Sequence, residues 1–569
     1  MSYLDRPRLV FSGIFSADPS TVNNDPLNYD PALAQKAPGW NPNGTGQWRF
    51  IGCTVTAAVY SDGTAAVDDP IVGASVLDNL KGSPAKIVDL DPEQQMVSQI
   101  WGFTVQLAPA SGSAMVSGHF QVAAFSDIWF RAVDAGGGGD APMGACFQSV
   151  LTPLAWGDVS ASRFLRELRE VSPGGLSIKF NLDGVNMLSG TPTFTQGRVV
   201  GAIGPARAGE PDGFVAGRLL RSAPGTSADP NLQPMVLQGT PPGSPAFFAP
   251  AQVDEGRGAV RVDLGNSLST TTPGGPLNPA LGTLQLAVLA AGKPPVLLGP
   301  VGYQAADWYT TTAGIVELPL SAEQLAAVRE APLALVQPGG AGAPAVVLLQ
   351  ENPQGAFVRA ESFVFRLNPG ESARVELRAT RFGRPAAGQS IALELAPDYV
   401  NQIQSPPNPP SLPIGQPGAA LSFPARVTTG ADGRAAFTLT AADPGNPRHF
   451  IDGQVYGVVY LWGDEEPADY WHDPTSFVSV LAFDGMRPIE HPTWTDVQPI
   501  LAQYAALYPF MTDKVVDLGS YTAVRQNLAG IRRVLSLPQE DPGYMQVTRD
   551  MSRDRLRLLL RWIDLGAPE

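Results

Sequence analysis

The chain has 569 residues with a formal net charge of -15; 44% are hydrophobic and 16% charged, and it contains 60 Gly and 55 Pro. At roughly 100 to 200 residues per domain this makes about three to five domains, and the apolar content excludes a disordered chain, while Gly and Pro between apolar runs favour many short strands. The acidity excludes the broad basic surface that a nucleic-acid backbone requires.

No run approaches 18 consecutive apolar residues, and the segment from Met1 to Pro7 lacks a basic region followed by an apolar stretch, so the expectation is a soluble, cytoplasmic chain without a membrane span or export signal. Cys53 and Cys146 are too few for a disulfide framework or a cysteine-based metal site and read as two reduced, semi-buried thiols.

In chain order, the first 350 residues alternate short apolar-polar runs with turn clusters. Thr54 to Tyr60 ahead of Ser61-Asp62-Gly63, and Gly258 to Leu264, have the period of two of half-buried strands. The tetraglycine Gly136 to Gly139 and the Pro-rich stretch from Pro224 to Pro250 read as loops. Helices are expected at Ser160 to Val171 and at Ser321 to Glu330, where Ser321 and Gln324 have capping-box spacing. The expected first unit is thus a β-rich domain over 1-350, with room for two subdomains.

Between Phe357 and Trp462 a compact set of strands follows. Ser362 to Leu367 and Ala373 to Arg378 flank Asn368-Pro369-Gly370, Ile391 to Leu395 comes next, and Ala425 to Thr429 meets Ala435 to Thr440 across the hairpin signal Asp432-Gly433. About 100 residues of short strands with this cadence fit an immunoglobulin-like β-sandwich over 355-465, with Ser405 to Pro410 as a stiff surface loop. Over 490-569 the period becomes helical: Thr495 and Gln498 precede Ile500, Leu501, Tyr504 and Leu507; Ser520 precedes Val524, Leu528, Ile531 and Leu535; Ser552 precedes Leu556, Leu559, Leu560 and Ile563. Amphipathic helices of this kind cannot bury their faces alone, so they dock on the β-domains or on a partner, in which case an exposed apolar patch is expected on them. The fold class read from the sequence is mainly β and multi-domain, ending in a short helical segment.

Four histidines, His119, His449, His472 and His491, show no paired metal-site spacing. Asp464, Asp469, His472 and Asp473 form the densest group of oxygen and nitrogen ligands, but without an EF-hand register they read first as a solvated acidic loop. A Gly-x-Ser-x-Gly elbow, a Walker loop and a dinucleotide fingerprint are all missing from the sequence. Arg218, Asp307, Tyr309, Asp513 and Lys514 are the polar residues that a pocket in the β-rich region, or an interface, would draw on; Asp513-Lys514 also reads as the plain end of a helix.

A run of segments carries a family likeness. Leu4-Asp5-Arg6-Pro7-Arg8 with Phe11-Ser12-Gly13 and Asn23 to Pro26 opens it; Val88 to Pro92 with Gln99-Ile100-Trp101, Val199-Val200-Gly201, Ala216 to Leu220, and Tyr303 to Leu320, with Asp307-Trp308-Tyr309 and Gly314 to Leu320, follow. Tyr508 to Val515, Tyr544-Met545 and Ser552 to Leu556 close it. In these segments the chain resembles the violacein-pathway iminophenylpyruvate dimer synthase and chromopyrrolate synthase family, in the region ahead of that family's ferritin-like catalytic domain. The likeness is weakest from Phe357 to Trp462. It implies architecture and a setting in aromatic secondary metabolism; because no Glu-x-x-His helices occur in the chain, it carries over no catalytic residue and no cofactor.

Three expectations follow. The first is an accessory protein acting with a separate ferritin-like or oxidase partner through its C-terminal helices. The others are a stand-alone enzyme with a pocket in the β-rich region, and a binding or surface module built on the immunoglobulin-like segment.

Overall fold

A computed structural model describes residues 2-569 apart from 20-40, 42-43, 80-81, 93-96, 110-111, 135-140, 188-194, 223-244, 340-343, 396-413 and 464-476. The protein is mainly β, with several sheets followed by C-terminal helices. The Gly136 to Gly139 and Ser405 to Pro410 loops, most of the Pro224 to Pro250 stretch and the motif Asn23 to Pro26 lie outside the described residues.

The first sheet contains β1 (Arg8–Asp18), β2 (Gln47–Val59), β3 (Ser75–Leu77), β4 (Ala85–Asp89), β5 (Ser98–Trp101), β6 (Thr104–Ala108), β7 (Val116–Phe120), β8 (Ala123–Ala124), β9 (Ser126–Phe130), β10 (Met143–Trp156), β11 (Leu176–Met187) and β12 (Thr195–Pro205). Because β1 pairs with both β12 and β2, the path β1-β12-β11-β10-β7-β6-β3-β2 closes into a barrel, from which β4, β5 and β8 branch at the start of β2. Closure pairs every strand of that ring on both sides.

The barrel is filled with aromatic rings rather than hollow. Phe15 stacks on Trp48 at 5.2 Å, Trp48 meets Phe147 at 5.8 Å, and Phe50 packs edge-on against Phe103 and Phe180 at 5.1 and 5.4 Å. Gly197 and Gly201 on β12 make room for this: a Cβ at either position would lie 2.5 Å from the ring of Phe15 or Phe11, the residues opposite them in register. The helix Arg163–Val171, capped by Ser162, contributes Phe164, Leu165 and Leu168 to the same core.

The second sheet joins β13 (Arg218–Ser222), β14 (Ala249–Asp254), β15 (Ala259–Asp263), β16 (Leu284–Val288), β17 (Val296–Val301), β18 (Ile315–Pro319), β19 (Leu333–Gln337) and β20 (Val346–Glu351) in the order β17-β16-β19-β20-β13-β14-β15-β18. The helix Ala322–Val328 carries the expected capping box between Ser321 and Gln324.

The immunoglobulin-like sandwich has one sheet of β21 (Ala356–Ala360), β23 (Ser372–Arg381), β24 (Arg384–Pro385), β26 (Leu421–Ser422) and β28 (Arg434–Ala441). It faces a second sheet of β22 (Val364–Leu367), β25 (Ser390–Leu395), β27 (Arg426–Thr428), β29 (Gln454–Trp462) and β30 (Phe477–Ala482). One expectation is corrected here: β27 and β28 do not form a hairpin. The turn at Asp432-Gly433, closed by Gly430 N–H on Arg434 O at 2.8 Å, carries the chain from one sheet to the other, as Asn368-Pro369-Gly370 does between β22 and β23. A sandwich needs such crossings to bury both inner faces, and they use the same turn residues as hairpins.

The helices Trp494–Leu507, Pro509–Lys514, Tyr521–Gln526, Leu528–Leu535 and Arg553–Asp564 form the C-terminal unit. The first is capped by Thr493 with Asp496 rather than by Thr495 with Gln498, and the second expected helix breaks at Asn527. Their apolar faces close around Trp562, which packs on Trp494 at 5.6 Å, and against Ile451 of the sandwich. They therefore bury most of their apolar surface within this chain, leaving Val515 and Leu565 as the large apolar side chains exposed by more than a third.

Candidate functional site at the interdomain joints

Much of the buried charge of this chain lies in the joints between units. β11 shows how. Ile178, Phe180 and Leu182 point into the first barrel, while the alternate residues Lys179, Asn181 and Asp183 point outward and are nevertheless buried against the second sheet. Each buried charge then requires a partner. Asp263 accepts from Lys179 at 2.5 Å and from the Tyr3 hydroxyl at 2.6 Å. Burial alone would lower the Lys179 ammonium, but Asp263 beside it holds the group above its ordinary value. Asp183 binds Arg131 at 2.8 Å and both ends of Arg198 at 2.5 and 2.8 Å.

Tyr309 completes that second cluster. Its hydroxyl accepts from Arg131 at 3.0 Å, and its ring lies 4.8 and 4.9 Å from the guanidinium carbons of Arg131 and Arg198. Burial pushes its phenol above the ordinary range, so it stays neutral. Asp307, at the start of the short helix Trp308–Thr312, is exposed, and its side chain makes no cap hydrogen bond.

Arg218 is likewise a joint residue. Its Nε sits 2.8 and 2.9 Å from the two carboxylate oxygens of Glu351, its Nη1 and Nη2 reach Val328 O at 2.5 Å and Ala331 O at 2.7 Å, and the ring of Phe382 from the sandwich lies 5.4 Å away. Arg448 of the sandwich grips Asp91 of the first unit through two bonds of 2.7 and 2.8 Å. Asp452 accepts from Ser552 N–H at 2.7 Å and pairs with Arg555 at 3.3 Å, fastening the C-terminal helices.

The five residues expected to share a pocket or interface do not converge. Arg218 and Tyr309 are buried in different clusters with different partners, while Asp513 and Lys514 stand exposed at the end of the helix Pro509–Lys514. Asp464, Asp469, His472 and Asp473 lie outside the described residues; among the described residues no group of three or more His, Cys, Asp or Glu is placed to hold a metal ion. An open depression of about 530 Å³ beside the helix Arg163–Val171 is lined by Asp158, Arg166, Arg169 and Glu170 and by none of the expected residues.

The sequence reading missed Lys179, Asp183, Arg131, Arg198, Asp263 and Arg448. For Lys179, Asp183, Arg198 and Asp263 the one signal is charge at alternate strand positions, which also marks an ordinary solvent-facing strand, and Arg131 and Arg448, outside the strands, carry none.

Both thiols are buried and free, and burial pushes each up to about 12. Native protein at neutral pH is therefore expected to resist a thiol reagent until it unfolds, with two equivalents reacting in denaturant. Rapid labelling of either cysteine in the native chain would contradict the buried placement.

Among the described residues no helix is long and apolar enough to cross a membrane. No protein-family model and no curated protein matches the chain. Among solved structures, a two-domain protein of unknown function from Bacteroides fragilis is 12% identical over 25% of this chain and 49% of that one, with a TM-score of 0.19, so the chain spans about half its length. The D0-D1 domain of intimin (11% identity, 39% of this chain and 89% of that one) and domains 1-6 of the surface layer protein SbsC (10%, 78% and 53%) both score 0.15, too low to establish a shared fold.

Proposed function

We propose that this chain is an accessory unit of aromatic secondary-metabolite assembly of the violacein or indolocarbazole kind, acting beside a separate ferritin-like or oxidase protein. The observation that carries this reading is where the family-like segments lie. Asp5, Asp91, Tyr309, Ser552 and Arg555 have their polar atoms engaged across interdomain joints rather than aimed into an open pocket, and Arg218, bound to Glu351 of its own sheet, is covered by Phe382 of the sandwich. Residues used in this way preserve a shape, which is what a supporting subunit offers a catalytic one. Arg525 and Arg533, with Arg532 paired to Asp564 at 3.0 Å, put cations on the exposed side of two C-terminal helices in a chain of net charge -15, a face suited to an acidic partner.

The test is co-expression of the full chain with the proteins encoded beside its gene, followed by size-exclusion chromatography. Co-elution with a ferritin-like or oxidase protein, weakened by the paired change Arg532→Glu with Arg533→Glu, is the expected result. A chain that elutes alone with every neighbour sinks the proposal. Turnover of an aromatic 2-oxo acid by the isolated chain would favour a stand-alone enzyme, and glycan binding a surface module.

A further inference from the structure

The joint around Trp101 differs from all those above in the balance of its charges. β4 and β5 form a ribbon whose inner residues Ile87 and Ile100 pack on the barrel core, while Lys86 and its cross-strand neighbour Trp101 face outward together with Gln99. Two arginines from other units come down on this outer side. Arg366 of β22 and Arg549 of the C-terminal segment place their guanidinium carbons 5.5 and 5.2 Å from the centre of the Trp101 ring.

Several buried cations meet a carboxylate directly, as Lys179, Arg131, Arg218 and Arg448 do. Here the hydrogen bonds of all three cations go to neutral acceptors. Lys86 donates to Thr45 O at 2.7 Å, Arg366 to Gln99 Oε1 at 2.5 Å and Asp89 O at 3.2 Å, and Arg549 to the carbonyls of Gln539 and Asp541 at 3.2 and 3.1 Å and of Val547. Of the nearby carboxylates, Asp91 is held by Arg448, Asp550 by Thr548 and Tyr504, Asp89 by Ser98 and Asp541 by Gly543 N–H, so they act on these cations through space rather than by direct hydrogen bonds.

Two donors are also left over. Trp101 Nε1 and Arg366 Nε are buried without a hydrogen-bond partner, and Trp101 is only 7% exposed. Orphaned buried donors are costly and rare. Burial, reinforced by Arg549, lowers Lys86 to about 8 and Arg366 to about 10, and burial lowers Arg549 to about 10. Arg549 also holds a left-handed backbone at φ 52°, an uncommon conformation for a non-glycine residue.

We propose that this joint binds a small oxyanion, of phosphate or carboxylate type, between Lys86, Arg366, Arg549 and the indole N–H of Trp101. The anion accepts from donors that the three units leave without a carboxylate partner and ties the sandwich and the C-terminal segment to the first barrel. Arg366 is the one cation of the three with partial exposure and marks the side from which the ion enters. The inference rests on these contacts and stands apart from the accessory reading.

Calorimetric titration and thermal unfolding of the full chain, in sodium phosphate, acetate or chloride at equal ionic strength, test it. A saturable, single-site response to phosphate or acetate that exceeds any response to chloride is expected, and whichever of the two is stronger identifies the type. Lys86→Met is expected to weaken that binding at least about tenfold, the loss of one charge-assisted hydrogen bond. Trp101→Phe, which keeps the ring and removes only the N–H, is expected to weaken it less. A response that rises linearly with salt and is the same in both variants overturns the proposal, as does Lys86→Met with an unchanged titration.

Discussion

Arg218→Ala is expected to cost about 3 to 5 kcal/mol of stability, because it strands the Glu351 carboxylate in an apolar interior. Both side chains are almost fully buried, and burial already pushes the Glu351 carboxyl above its ordinary value despite the guanidinium. The pair also fixes the backbone, since Arg218 holds the carbonyls of Val328 and Ala331 and Glu351 accepts from Leu333 N–H at 3.1 Å. Urea denaturation of the variant should show a lowered midpoint. The double change Arg218→Met with Glu351→Leu removes both charges together and should recover much of the loss. A single variant that loses less than about 1 kcal/mol would mean that the pair is more hydrated than its geometry implies.

Asp183→Ala is expected to be at least as damaging and to act differently. It leaves Arg131, fully buried, and Arg198, both beside Tyr309, without a counter-charge, at about 3 to 5 kcal/mol. Because the cluster lies between the first barrel and the second sheet, calorimetry should show the unfolding transition broaden or split as the two units lose their coupling. Tyr309→Phe, which removes one hydrogen-bond acceptor and keeps the ring, should cost about 1 to 2 kcal/mol and leave the units coupled. If Asp183→Ala unfolds in one sharp transition at the native temperature, the cluster is not what joins them.

Several elements are legible in the sequence because their causes are local. The Ser321 box, the Ser520 and Ser552 caps and the alternation in β28 depend on residues within a few positions of one another, whereas β15, expected half-buried, is buried on both faces, and the helix expected from Ser160 begins after its cap at Ser162. Local signals fail where a distant surface changes what they mean. Asp432-Gly433 specifies a tight turn, but whether the turn joins two strands of one sheet or passes between sheets depends on which face each strand must bury. The C-terminal helices show their apolar faces in the sequence, whereas the surface that covers them, the other helices and Ile451, is known only from the fold.

Arg218, Tyr309 and the residues of β11 show the same division at the level of function. Periodicity and turn chemistry determined a mainly β, multi-domain chain with a sandwich and a helical end. The tertiary structure decided that Lys179, Asn181 and Asp183, alternating as a solvent-facing edge would, are sealed against a second sheet, and that Arg218 and Tyr309 lie in joints rather than in a pocket. The physical reason is that strand alternation records only that two faces differ. Whether the polar face meets water or another domain depends on contacts far along the chain, from 52 residues away for Asp183 with Arg131 to 178 for Tyr309 with Arg131, and there the free energy of a charge is decided by its partner.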